Sequence, residues 1–274
     1  MSVNRLELPG PTRRSLLSGE LIDWHDHAVN QLCCPLRGVL EISTPLGVWV
    51  VPSHRAVWIP AGVPHAHRAY GATEMRTLVF PQTVNPLRLD RPTVLATDPL
   101  LREVIVALSE GQDADENGRP EAEAEPGRPP ADELDATQRH HLELVALDHL
   151  RRVEELAFSL PAPQDDRLRA VAALLTADPA DERSLAELGR VVGAAERTLS
   201  RLFRTELGMS FPQWRGHLRL QRALTLLAAG TSVTTVAGLC GFRSPSAFID
   251  AFRRAFGTTP GHYRESAQPR PGAR

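Results

Sequence analysis

The sequence predicts a multidomain α and β protein: a small N-terminal β-barrel, then helices, then an all-α C-terminal domain with two helix-turn-helix units. Three observations point there. Residues from about 20 to 80 are short β-branched and aromatic runs between Pro and Gly, the chain beyond about 165 reads as helix, and that helical part repeats itself. At 274 residues the chain exceeds a typical single domain, and its 42% hydrophobic share allows each domain a core.

In the β region, Val39, Leu40 and Ile42, then Val48 to Val51, then Val57 to Ile59, read as three short strands, and Met75 to Phe80 as a fourth. That spacing predicts a small barrel over 15–95. From Asp98 the period turns helical, with Leu101, Val104, Ile105 and Leu108 three and four apart and Asp98–Pro99 as cap and first turn. The acidic, Gly- and Pro-rich stretch at about 110–131 reads as a disordered loop. An amphipathic helix is expected from Leu134 to Phe158, with Leu142, Val145, Leu150, Val153 and Leu156 among its apolar positions. Together, 96–160 form a helical region suited to dimerisation, and SLPAPQDD reads as the linker to a domain at 165–266.

Charge is divided unevenly. From Asp165 onward 16 Arg face 10 acidic residues, a balance of +6, whereas the chain before it carries −8. There is no Lys. A basic third on an acidic protein implies a polyanion partner for that third. No apolar run approaches the roughly 18 residues of a membrane span, and the N-terminus lacks a signal-peptide pattern, so no membrane and a cytoplasmic location are expected. Cys33, Cys34 and Cys240 lack ligand-like spacing and fit a reducing compartment, with small apolar strand positions favoured over a redox switch at the adjacent pair.

The internal repeat pairs SLAELGRVVGAAERTLSRLFRTELGMSFPQW with SVTTVAGLCGFRSPSAFIDAFRRAFGTTPGHY. Ser184, Leu188 and Gly193 match Ser232, Val236 and Gly241 at an offset of 48. Beyond the turn the offset is 49, pairing Leu199 with Phe248, Phe203 with Phe252, Gly208 with Gly257 and Trp214 with Tyr263. Each copy has helix-turn-helix grammar. Ser184 caps a helix with apolar Leu185, Leu188, Val191 and Val192; Gly193 permits the turn; and a second helix buries Leu199, Leu202, Phe203 and Leu207. That leaves Glu196, Arg197, Ser200, Arg201 and Arg204 on the wet face. In the second copy Phe248, Phe252 and Phe256 turn inward and Ser246, Ala247, Asp250, Arg253 and Arg254 outward. A merely solvated Arg-rich bundle is the plainer reading of one such unit; two basic copies joined by a long helix (Phe211 to Ala229) favour double-stranded DNA.

The segment GFRSPSAFIDAFRRAFGTTPGHYR resembles the DNA-binding domain of the AraC/XylS family of transcriptional regulators: Gly-Phe, Ser-x-Ser-x-Phe, three spaced Phe, Gly-x-x-Pro and Tyr-Arg. The resemblance spans about Asp181 to Arg264. It implies that both second helices enter successive major-groove segments of an operator. Base reading then falls to Arg197, Ser200 and Arg201, and in the second unit to Ser246, Ala247 and Asp250. Arg201 is the leading base reader, because a guanidinium pairs bidentately with guanine O6 and N7. Asp250 departs from the family's Arg or neutral residue, so the second unit positions more than it specifies; Arg204, Arg253 and Arg254 are phosphate contacts.

The β region holds WHDHAVNQLCCPLRG and WIPAGVPHAHR, which resemble the two cupin motifs. His25, His27, Gln31 (in place of Glu) and Gly38 fill the first; Pro60, Gly62 and His65 fill the second. The resemblance implies a sensor domain whose effector pocket is lined by His25, His27, Gln31, Trp49, Trp58 and His65. No cofactor is certain; a divalent metal held by His25, His27 and His65 is the candidate, weakened by the uncharged Gln31 and ranked behind plain pocket lining. His67 is either a further ligand or an exposed bystander, and its neighbour Arg68 favours exposure. The expectation is a DNA-binding transcriptional regulator, not an enzyme, controlled by a small-molecule effector. A homodimer is expected, with RNA polymerase as a candidate partner. The alternative is a metal-dependent cupin enzyme, a dioxygenase or isomerase, with an appended helical domain.

Overall fold

The structure, a computed structural model, describes residues 3–8, 10–110, 134–152 and 159–267. The chain divides into two compact units, Met1–Thr44 with Val51–Ala157, and Pro45–Val50 with Phe158–Arg274.

The N-terminal unit is built on β1 (Asn4–Arg5), β2 (Thr12–Leu16), β3 (Leu21–Asp26), β4 (Val29–Thr44), β6 (Arg55–Ile59), β7 (His65–Pro81), β8 (Thr93–Ala96) and β9 (Arg151–Arg152); of β5 (Gly47–Pro52), residues 47–50 belong to the C-terminal unit. Its helices are α1 (Pro99–Ser109) and α2 (Ala136–His149). β4 and β7 form one long antiparallel hairpin, and each half of it takes different neighbours. The start of β7 pairs with β3 (His25↔His65), its later part pairs with β2 (Thr12↔Thr77), and the start of β4 pairs with β6 (Leu32↔Trp58). The bend between the halves lies where β4 shifts register around Arg37. Gly38 sits there at φ +70, and a Cβ on it would lie 2.2 Å from Thr73 Oγ1.

The expected closed barrel is corrected. The strand path runs β1-β3-β7-β4-β6-β8-β9, and its end strands do not pair with each other. Among the described residues the sheet is therefore open.

Alternation along β4 sorts the side chains. Leu32 and Cys34 share a face with Trp58, Ala56, Leu78 and Phe80, where Leu101, Val104, Ile105 and Leu108 of α1 and Ala146 of α2 complete a core. α1 matches expectation: Asp98 accepts from the Leu101 N–H at 2.7 Å, with Pro99 opening the helix. α2 begins with an Asp135–Gln138 capping box but ends at His149, before the expected Phe158. The chain there turns extended so that β9 pairs with β8; Val153 and Leu156 lie outside the described residues, as does most of the expected acidic loop. Cys33 and Cys34 are buried and free on opposite faces, and burial pushes both thiols up to about 12, which leaves no reactive thiolate for a redox switch.

In the C-terminal unit β10 (Ser159–Pro161) pairs with β5, Ser159 opposite Trp49. The helices follow: α3 (Asp166–Ala177), α4 (Leu185–Val192), α5 (Glu196–Glu206), α6 (Phe211–Ala228), α7 (Val233–Leu239), α8 (Pro245–Phe256) and α9 (Pro260–Ala267). α4–α5 and α7–α8 are the two copies of the repeat. Ser184 and Glu187 form a capping box on α4, Ser232 caps α7, and Gly193 ends α4 at φ +68. Leu199, Phe203, Leu207, Phe211 and Trp214 bury together with α3 and α4, and Phe252 packs 4.4 Å from Phe256 and 5.6 Å from Tyr263. One expected core position is corrected. Val191 is 57% exposed, because the inward arc of this short helix is taken by Leu185, Leu188 and Gly189.

Candidate nucleic-acid interface and buried histidine cluster

α5 is amphipathic by construction. Leu199 and Phe203 are fully buried, which turns Arg197, Arg201 and Arg204, at helical spacings of four and three, to solvent on one face. Ser200 is half-buried at the edge of that face. Among the described residues none of these three guanidinium groups makes a hydrogen bond or ion pair. Several other arginines of the unit are engaged. Arg167 pairs with Asp165 at 2.7 Å, Arg169 with Asp166, and Arg183 with Asp181 at 2.5 Å. Arg215 bonds the Arg183 carbonyl at 3.0 Å and lies over the Phe211 ring, while Arg219 bonds the Pro179 carbonyl at 2.9 Å. Three exposed guanidinium groups without internal partners thus line one face of the second helix of the first repeat.

α8 exposes Ser246, Ala247, Asp250, Arg253 and Arg254, while Phe248 and Phe252 are fully buried. Ser244 caps the helix by accepting from the Ala247 N–H at 3.2 Å. Arg254 leans back on the Asp250 carbonyl at 3.3 Å. Arg243, exposed in the turn before α8, extends this face; lying outside the helix, it carries no helical-periodicity signal in the sequence.

The N-terminal unit holds a different constellation. His25 of β3 faces His65 and His67 of β7, with ring centroids 4.2 and 5.6 Å away; His65 and His67 lie 5.0 Å apart. All three are buried. His25 donates from Nδ1 to the Asp23 carbonyl at 2.7 Å, and His65 from Nδ1 to the Val63 carbonyl at 2.8 Å, so each keeps its Nε2 lone pair for the interior. The expectation that His67 is exposed is corrected: at 2% exposure it lies inside, because alternation along β7 puts it with His65 and sends Arg68 outward.

His27 is occupied differently. Its Nδ1 donates to the Val29 carbonyl at 2.7 Å and its Nε2 is 3.0 Å from Gln31 Oε1. A neutral ring donating at Nδ1 accepts at Nε2, which requires Gln31 to turn its amide nitrogen to the ring. The donor atoms that converge within 4.8 Å are those of His25, His65 and His67, not the His25, His27 and His65 of the motif. Burial lowers the pKa of all four imidazoles, and of His65 and His67 furthest, where neighbouring rings add to it. The cluster is therefore neutral at pH 7, with its lone pairs available.

Beside it lies a cavity of about 20 Å³ lined by His25, Gln31 and His67 with Thr12, Arg14 and Thr77. It admits one water-sized ligand. Trp58, expected on the pocket wall, stacks on Phe80 at 5.6 Å on the opposite, helix-covered face, and Trp49 is not among the cavity's lining residues. Their aromatic character was legible in the sequence; the face each occupies depends on register.

A helix-turn-helix domain model matches residues 188–266, nearly the whole repeat. The transcriptional regulator NimR of Escherichia coli is 31% identical over 242 residues, covering 87% of this chain and 81% of NimR. The chain belongs to the AraC family. The arabinose operon regulatory protein of Escherichia coli is 31% identical over 121 residues, 43% of this chain and 41% of its own. An AraC-type regulator from Chromobacterium violaceum, known as a crystal structure, is 31% identical, covers 39% of this chain and 95% of its own, and has a TM-score of 0.36. This AraC-family member is accordingly a DNA-binding transcriptional regulator, and the class its relatives share is not that of a cupin enzyme. No described helix is long and apolar enough to cross a membrane.

Proposed function

We propose that the protein reads an operator with α5 and anchors on it with α8. Arg197, Ser200 and Arg201 contact base edges and Arg204 a phosphate; Ser246, Ala247 and Asp250 approach the next groove segment, and Arg253 and Arg254 hold its backbone. The observation that carries this reading is the contrast between the free guanidinium groups of Arg197, Arg201 and Arg204 and the internally bonded Arg167, Arg183, Arg215 and Arg219. Unpaired cations on the second helix of a helix-turn-helix are what a major groove selects. The working form is a cytoplasmic homodimer with RNA polymerase as a further partner. Its sensor domain spans 15–95, its helical dimerisation region 96–160 and its DNA-binding domain 165–266.

We further propose that the N-terminal unit is the sensor and that its ligand enters at the histidine cluster. Supporting this are buried nitrogens without partners, His65 Nε2 and His67 Nδ1, each destabilising by roughly 1–3 kcal/mol unless a ligand satisfies it. An organic effector needs several hundred Å³, roughly 300–1,000, so it would have to open the cavity.

The test is a titration onto DNA from upstream of the protein's own gene, at two salt concentrations. Wild type should bind specifically and weaken steeply with salt, and Arg201→Ala should lose roughly 1–3 kcal/mol with relaxed preference at one base pair. An Arg201→Ala variant that binds the operator as wild type does would remove α5 as the reading helix.

A further inference from the structure

We propose that the N-terminal unit binds one divalent ion of the zinc class through His25, His65 and His67, leaving one coordination position open to the adjacent cavity. His67, outside both cupin motifs, takes the place the motif gives to His27.

Three observations carry this. Donor atoms of His25, His65 and His67 lie within 4.8 Å of one another, and tetrahedral zinc with bonds near 2.0–2.1 Å sets its nitrogens roughly 3.3 Å apart, a closure small rotations of three side chains supply. Two nitrogens of the cluster, His65 Nε2 and His67 Nδ1, are buried without partners. The Asp23 and Val63 carbonyls fix the tautomers of His25 and His65 by accepting from Nδ1, the outer-sphere arrangement that aims Nε2 at a metal. His27 lacks such a free nitrogen, since the Val29 carbonyl and Gln31 engage both of its own.

The donor set selects the ion. Neutral imidazoles suit first-row transition ions, whereas calcium and magnesium need several oxygens that this site lacks. The cavity of about 20 Å³ has room for one water as fourth ligand. Arg14, which lines it, pairs with Glu20 at 3.2 Å, so its charge is balanced beside the ion. A bound ion would tie β3 to β7. Its effect on DNA binding rests on the sensor reading above; the site itself does not.

Full-length protein freed of metal by chelator should take up one equivalent of Co²⁺ with a visible ligand-field band, and Zn²⁺ should displace it. His65→Gln and His67→Gln should bind more than about 100-fold more weakly, beyond the roughly 10–100-fold that loss of an outer partner costs. His27→Gln should stay within about tenfold of wild type, and the exposed pair changed together, His140→Ala with His141→Ala, should leave uptake intact. Should His67→Gln fail to fold, imidazole ¹⁵N resonances of wild type decide: those of His25, His65 and His67 move with Zn²⁺ and those of His27 do not follow. Absence of stoichiometric uptake, or loss of metal from His27→Gln as complete as from His67→Gln, overturns the proposal. Metal uptake without any change in operator affinity would support the site and overturn only the sensor reading.

Discussion

The two helix-turn-helix copies bury matched residues, Leu199 with Phe248 and Phe203 with Phe252, yet offer different chemistry to solvent. α5 presents Arg197, Arg201 and Arg204; α8 presents Ser246, Ala247 and Asp250, with its arginines held back to the last turn. Burial fixes the inner frame, because a large-to-small change there typically destabilises by several kcal/mol, while exposed positions vary at little cost to folding. The interior therefore records the duplication, and the surface records what each copy does.

The turns sharpen this comparison most. Gly193 and Gly241 occupy the same place in the repeat at φ +68 and +69. Around Gly193 a Cβ would meet nothing within 4 Å, but on Gly241 it would lie 2.8 Å from Ala180 Cα and 2.6 Å from the Arg219 guanidinium. Arg219 is pinned by the carbonyls of Pro179 and Asp181 and cannot swing away freely. Gly193→Ala should destabilise by the left-handed penalty alone, about 1–2 kcal/mol. Gly241→Ala should add overpacking of roughly 1–3 kcal/mol. Denaturant unfolding of both variants checks this, and equal losses would mean that the second turn has slack which the contacts deny.

Both glycines were legible in the sequence, as were the serine caps and the inward Phe series, because helix signals are local. The N-terminal sheet was legible only in pieces. β4 and β7 span 16 and 17 residues, but Pro35, Gly38 and Gly71 within them read as strand ends, so the sequence suggested short strands and a barrel. The face of Trp58 and the partners of His67 depend on register between distant strands, which no local pattern encodes. The end of α2 escapes local pattern for the same reason: β9 pairs with β8, 57 positions earlier (Arg152 with Leu95). In the histidine cluster the motif named His25 and His65, while the third converging imidazole became visible only once β3 and β7 lay side by side.

At the exposed faces of α5 and α8 the proposed reading predicts opposite responses. Arg201→Ala should weaken binding, whereas Asp250→Asn, at the exposed centre of α8, removes a carboxylate that phosphates repel. Operator affinity should rise by roughly 0.5–1 kcal/mol at low salt, and the gain should fade as salt screens it. Binding isotherms at two salt concentrations measure it. A loss of affinity confined to one base pair would instead make Asp250 a reader of a cytosine amino group, and the second copy would specify as well as anchor.

The smallest difference lies at the helix starts. Ser244 caps α8 with its side chain, whereas Ala195 at the start of α5 makes no side-chain cap bond, although its backbone has the extended geometry a cap requires (φ −67, ψ 144). Ser244→Ala should therefore destabilise by about 0.5–1 kcal/mol, and Ala195→Ser should stabilise by a similar amount, since the added hydroxyl can accept from an N–H in the first turn. Melting temperatures of the two variants would move in opposite directions. If Ala195→Ser melts higher but binds operator less well, the uncapped N–H groups of α5 serve the DNA complex, and alanine is kept there at the expense of stability. If it melts higher and binds unchanged, Ala195 is a plain gap in the first copy's capping, one that Ser244 fills in the second.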